Sequence, residues 1–153
     1  MVGMAILQPV VALAIWTMIM WLWMYATRLP AMGKAGVDPD ALVRDPDMTL
    51  DRVLPPEVNW KAQNYNHLHE APTVFYAMAI TLAIIGAGDG LNAQIAWAYV
   101  ALRVVHSLVQ ATVNKVLLRF AIFALSSLCL IALIHNAAFE LFHHGVSMHG
   151  VNL

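Results

Sequence analysis

Charge is what this sequence has least of. Only 11% of its 153 residues are Asp, Glu, Lys or Arg, against roughly 25% in an average soluble domain. The formal net charge is -1 and no basic tract occurs, so the chain lacks the electrostatic footprint of a nucleic-acid binder. Cysteine is nearly absent. Cys129 is the single one, which excludes an internal disulfide. Residues 1–27 contain neither Lys nor Arg. The positive segment that opens a secretory signal is therefore missing, and the apolar run that follows is too long for a signal core. It reads instead as a first membrane span. Internal repeats and low-complexity segments are lacking as well.

What fills the chain is apolar: 61% hydrophobic residues and a mean hydropathy of +0.69. The runs divide at polar and glycine-containing breaks into helices expected at about 7–27, 60–85, 92–113 and 117–142. About 20 residues at ~1.5 Å each cross a ~30 Å hydrocarbon layer. The expectation is an all-α membrane protein, a single domain built as a bundle of four transmembrane helices. Residues 29–59 form a long polar loop with Pro30, Pro39, Pro46, Pro55 and Pro56. A short helix is expected within Asp47 to Leu54, N-capped by Asp47 or Thr49. The tail from His143 to Leu153 reads as a frayed end.

Positive charge is distributed one-sidedly. Arg28, Lys34, Arg44, Arg52 and Lys61 flank the first loop, and Lys115 and Arg119 flank the third. The positive-inside rule places both loops in the cytoplasm and both termini on the outer side. In a bacterium this means the inner membrane, with periplasmic termini.

One stretch carries the chemistry. Asn64 to Tyr76 starts polar and runs directly into an apolar segment. Read as one helix, it places Gln63, Asn66, Glu70 and Thr73 on one face. Glu70 lies ~15 Å in from the inner end of its helix, and Arg103 ~16 Å in along the next one, at 1.5 Å per residue. The matching depths suggest a buried pair. Ionisable groups so deep in a membrane face a partner, a bundle interior or a water-filled cavity. His106 and Gln110 follow Arg103 on the same face, and Arg28 and Arg119 stand at the rim. The pair could serve only to lock two helices. The surrounding Gln63, Asn66, His67, His106, Gln110 and Asn114 favour a pocket for a polar, anionic molecule. A metal site is not expected. The Glu140-x-x-His143 step seen in di-iron bundles occurs once, near the outer end of the last helix, whereas Glu70 and His106 lie toward the inner side.

Asn66-His67-Leu68-His69-Glu70-Ala71-Pro72-Thr73-Val74-Phe75-Tyr76, with Arg103-Val104-Val105-His106, Asn114, Arg119 and the Arg-Asp-Pro-Asp step at 44–47, resembles the membrane-associated proteins in eicosanoid and glutathione metabolism, the MAPEG family. The resemblance spans about residues 5–140. It implies a homotrimer with glutathione as co-substrate in clefts between subunits, and a small lipophilic electrophile or peroxide as the second substrate. Glu70 would hold the glutathione amino group and Arg103 would organise that carboxylate. Asn66 and His106 would add polar contacts, and Arg119 would stabilise the thiolate. The chain departs from the family pattern at several positions. Gln63 and Asn64 stand where Arg or His is usual, His67 takes the place of an asparagine, Gln110 that of a tyrosine and Phe120 that of a serine. The rival expectation is a non-catalytic membrane protein that binds a lipid or small molecule on the same scaffold.

Overall fold

The computed structural model describes residues 3–144. About 80% of the structure is helical, and no strand occurs among the described residues. In chain order the helices are α1 (Leu7–Ala35), α2 (Ala41–Arg44), α3 (Leu50–Val53), α4 (Pro56–His67), α5 (Ala71–Ile84), α6 (Leu91–Thr112) and α7 (Val116–Phe139). A π-helical turn, Glu140–His144, follows. Most of the tail expected to fray, residues 145–153, lies outside the described residues.

Two of the sequence-based helix limits need correction. α1 does not stop ahead of Leu29-Pro30 but runs through Pro30 to Ala35. A proline inside a helix costs one backbone hydrogen bond and a clash with the preceding turn, yet here it does not end the helix. The stop is Gly36, at φ 60°. Its N–H donates to the Gly33 carbonyl at 3.3 Å, while the Val37 N–H donates to Met32 at 3.2 Å. That pair of bonds is a Schellman cap, which needs the left-handed conformation glycine adopts freely. The polar loop is shorter in consequence, and Leu50–Val53 supplies the expected short helix, with Thr49 before it.

The second correction matters more. The expected single helix over 60–85 is two helices, α4 and α5, separated by Leu68, His69 and Glu70. Pro72 is the physical cause. It has no N–H to donate to Leu68, and its ring crowds the turn before it, so it is accommodated at the second position of a new helix.

α1 packs against α4, α5 and α6, α6 against α4 and α7, and α5 against α7. Their shared core holds Ile6, Leu13, Met20, Phe75, Ala79, Leu82, Ala96, Tyr99 and Leu133. Phe75 and Tyr99 stack at 4.5 Å. The outward faces are also apolar: Val11, Ile15, Met18 and Leu22 on α1, and Leu117, Phe120, Leu125, Leu128 and Ile131 on α7 are exposed. Leu7–Ala35 and Val116–His143 are long and apolar enough to cross a membrane, with mean hydropathies of 1.7 and 2.4. Only 17% of the apolar 18-residue stretch in each is buried. A soluble protein's core helix would be mostly buried, so these exposed apolar faces belong against lipid or another chain.

The loop between α1 and α4 is tied down by one side chain. Asn59, 3% exposed, donates through Nδ2 to the carbonyls of Asp51 at 3.1 Å and Leu54 at 3.2 Å. That holds α3 and the turn after it against the start of α4.

Candidate functional site

The break between α4 and α5 leaves helix-end carbonyls without their intrahelical donors. One of them meets Arg103. Its Nη2 donates to the His67 carbonyl at 3.1 Å, placing a cation at the C-terminal, negative end of the α4 dipole. Arg103 is 2% exposed, and its guanidinium lies 5.9 Å from the centre of the Phe123 ring. Among the described residues no ion pair joins Arg103 to Glu70. The pair suggested by matching depth is therefore not formed. Glu70 sits in the break, in a non-helical conformation, and is exposed. Its carbonyl accepts the Thr73 N–H at 3.1 Å and also the Thr73 hydroxyl.

Other contacts tie α4 to α6 and α6 to α7. His67 Nδ1 donates to Gln110 Oε1 at 3.0 Å. Arg119 Nη1 donates to Asn114 Oδ1. Asn114 has φ 48°, a left-handed conformation that asparagine tolerates better than most side chains. It turns the chain from α6 into α7 and presents its amide to Arg119.

These elements enclose a cavity of about 350 Å³, lined by His67, Glu70, Ala71, Arg103, His106, Val116, Arg119, Phe120 and Phe123. Five of the residues singled out from sequence (His67, Glu70, Arg103, His106 and Arg119) meet there. Gln110 and Asn114 stand behind them, each bonded to a lining residue. Gln63 and Asn66 are exposed on α4 and do not line it. The expectation that they share a polar wall with Glu70 assumed an unbroken helix, and the break removes that register. Arg28 lies in a separate cavity of about 310 Å³ with Leu42, Met48, Thr49, Leu50 and Asp51.

The apolar wall escaped the sequence reading. Val116, Arg119, Phe120 and Phe123 fall at i, i+3, i+4 and i+7 on α7, the spacing of one helix face. Arg119 on that face was the signal that could have drawn in the other three. Val116 is 74% exposed and Phe120 66%, so this wall also meets the surroundings of the chain.

Chemically, the cavity combines free cationic donors with an apolar side. Arg103 Nε and Nη1 and Arg119 Nε are buried without a protein partner, and His106 is 4% exposed with Nδ1 likewise unpartnered. Among the described residues there is no group of three or more His, Cys, Asp and Glu arranged to hold a metal ion.

A family model described as the MAPEG family matches residues 6–139, nearly the whole chain. No curated protein and no solved structure matches it.

Proposed function

The chain belongs to the MAPEG family, and from that premise we propose that its cavity binds glutathione and activates the thiol for attack on a lipophilic electrophile or peroxide. One observation carries the reading. Two guanidinium groups line a single cavity, keep buried N–H donors without a protein partner, and form no ion pair with the carboxylate beside them. Buried donors of this kind cost free energy until a partner arrives, and a carboxylate or thiolate is the partner a guanidinium suits best. Glu70, unpaired on the same wall, suits an ammonium. A small peptide-like molecule with separated carboxylates, one amino group and a thiol meets all three demands.

In this reading Arg103 and His106 hold the polar ligand at the inner end of the cavity. Arg119 lies nearest the apolar wall, where a lipophilic partner would arrive. A guanidinium beside a thiol favours the thiolate, the nucleophilic form. With a carbon electrophile the thiolate sulfur bonds to the electrophilic carbon and the leaving group departs with the electron pair of the broken bond. With a peroxide the sulfur bonds to one oxygen as the O–O bond breaks, the released alkoxide takes a proton from water, and a second glutathione converts the sulfenic acid to the disulfide and water. Asn114 fixes Arg119 for this role by occupying one of its nitrogens.

The proposed frame is four crossings, with α4–α5 acting together as the second and α6 as the third. The loops around Arg28–Lys61 and Lys115–Arg119 lie in the cytoplasm, on the inner face of the inner membrane if the host is bacterial. Three chains assemble in this frame.

The test is whether glutathione stabilises the purified protein. Ligand at 100 times Kd adds about 2.7 kcal/mol, read as a rise in the thermal midpoint. No shift at millimolar glutathione would remove the proposal. A second reading, binding without catalysis, is favoured by one feature: no lining residue carries a hydroxyl. Arg119→Ala separates the two in a protein that binds glutathione. A catalyst loses its ultraviolet thiolate band near neutral pH, together with turnover of an aryl electrophile. A binder shows no such band even before the substitution.

A further inference from the structure

The second cavity has no part in the chemistry above. It measures about 310 Å³ and is lined by Arg28 from α1 and by Leu42, Met48, Thr49, Leu50 and Asp51. Arg28 is half-buried, and among the described residues it forms no ion pair. Asp51 is exposed and equally unpaired. Its neighbour Arg52 reaches Asp47 instead, at 3.5 Å. The Thr49 hydroxyl makes no capping bond to α3. Asn59 holds the wall in place through the Asp51 carbonyl, at 3.1 Å. One cation, one anion and one hydroxyl thus share a small open space without satisfying one another.

The position of this cavity narrows what can fill it. Arg28 lies ~32 Å along α1 from Leu7, at ~1.5 Å per residue, about the thickness of a hydrocarbon layer. It therefore stands at headgroup level when α1 crosses a membrane. Val11, Ile15, Met18, Leu22, Tyr25 and Leu29 are all exposed and recur every three or four residues, which puts them on one face of α1. That stripe reaches the cavity, since Tyr25 is one turn before Arg28 and Leu29 is next to it. A molecule charged at one end and hydrocarbon along the rest matches both features. A free anion or an anionic headgroup would set its charge against Asp51, and like charges so placed are costly. A headgroup carrying both signs meets no such penalty.

We propose that this cavity binds a phospholipid whose headgroup carries a phosphate and a primary ammonium, with its acyl chains along the α1 stripe. Arg28 and the Thr49 hydroxyl donate to the phosphate, and the Asp51 carboxylate accepts from the ammonium. Charge-assisted hydrogen bonds of this kind are the strong ones. The lipid would belong to the inner leaflet, a detail that rests on the topology proposed above. The site itself rests on neither that topology nor glutathione, because no residue of it lines the other cavity.

The experiment uses the full chain in detergent, with lipids added singly and bound lipid counted by native mass spectrometry. Phosphatidylethanolamine should bind several-fold more tightly than phosphatidylglycerol of the same acyl chains. Equal affinities would overturn the site. Asp51→Asn, at an exposed position, should erase the preference between the two lipids. Arg28→Ala should weaken both, with circular dichroism unchanged as proof of folding. A preference that survives Asp51→Asn, or affinities untouched in a folded Arg28→Ala, would overturn it as well. Should Arg28→Ala fail to fold, Asp51→Asn decides alone. Water-soluble phosphoethanolamine separates a lipid from a free phosphoester of the same chemistry. At millimolar concentration it should leave the bound lipid in place, and displacement would overturn the lipid as occupant.

Discussion

Arg103 is the residue on which most of the site converges. It was expected to answer a carboxylate, and it answers a carbonyl instead. The consequence is an asymmetry between two substitutions. Arg103→Ala removes a charged donor from a buried helix end and should cost about 2 kcal/mol, in the range for hydrogen bonds to charged groups. Glu70→Gln, at an exposed position with no ion pair to break, should be nearly neutral. Chemical denaturation of the two variants in one detergent checks this. Equal losses would mean that the carboxylate is paired after all. Asn114 permits a similar separation. Asn114→Gly keeps the left-handed turn but frees Arg119, so stability should hold while glutathione binding or turnover falls. Asn114→Leu should in addition lose about 1–2 kcal/mol, the cost of the left-handed conformation for an ordinary side chain.

At the scale of elements, the decisive feature is the interruption between α4 and α5. Without it Glu70 would lie on a continuous helix beside Gln63 and Asn66, and the His67 carbonyl would be used internally. Pro72→Ala should allow the two helices to join. Helical content should rise, and glutathione affinity should fall by about tenfold or more, 1.4 kcal/mol per decade, because Glu70 and the His67 carbonyl leave their positions. Circular dichroism with a thermal-shift titration on the same sample measures both. Unchanged affinity with increased helicity would show that the break does not position the ligand. α7 bears a different relation to the site. The face that supplies Arg119 also brings Val116 and Phe120 to the cavity, and these two remain exposed beyond it, so one helix face serves both the cavity and its surroundings.

For the whole molecule, the proposed arrangement is three chains in a membrane with both termini outside. A cysteine introduced in the tail of the Cys129→Ser variant should react with an impermeant thiol reagent in intact cells. Reaction only after the inner face is opened would reverse the topology, and the cavity's placement with it. The mass of the protein released in a native membrane mimetic should be three times the 16.8 kDa chain. A monomeric mass would overturn the trimer.

How far all this was legible in the chain depended on the range of the interactions. Hydropathy and its breaks suffice for an all-helical membrane protein, because apolar runs and helical period are local properties. Glu70, Arg103, His106 and Arg119 stood out as polar groups set in apolar runs, and that incongruity is visible without coordinates. What the tertiary structure alone decided was partnership. Depth along two helices says that Glu70 and Arg103 are level, but not how each helix is rotated. The Pro72 break changed that rotation and freed the carbonyl that Arg103 takes. Phe123 entered the cavity wall through the packing of helices distant in sequence. Helical period assigns a residue to a face. Only the packing of one helix on another determines what that face meets.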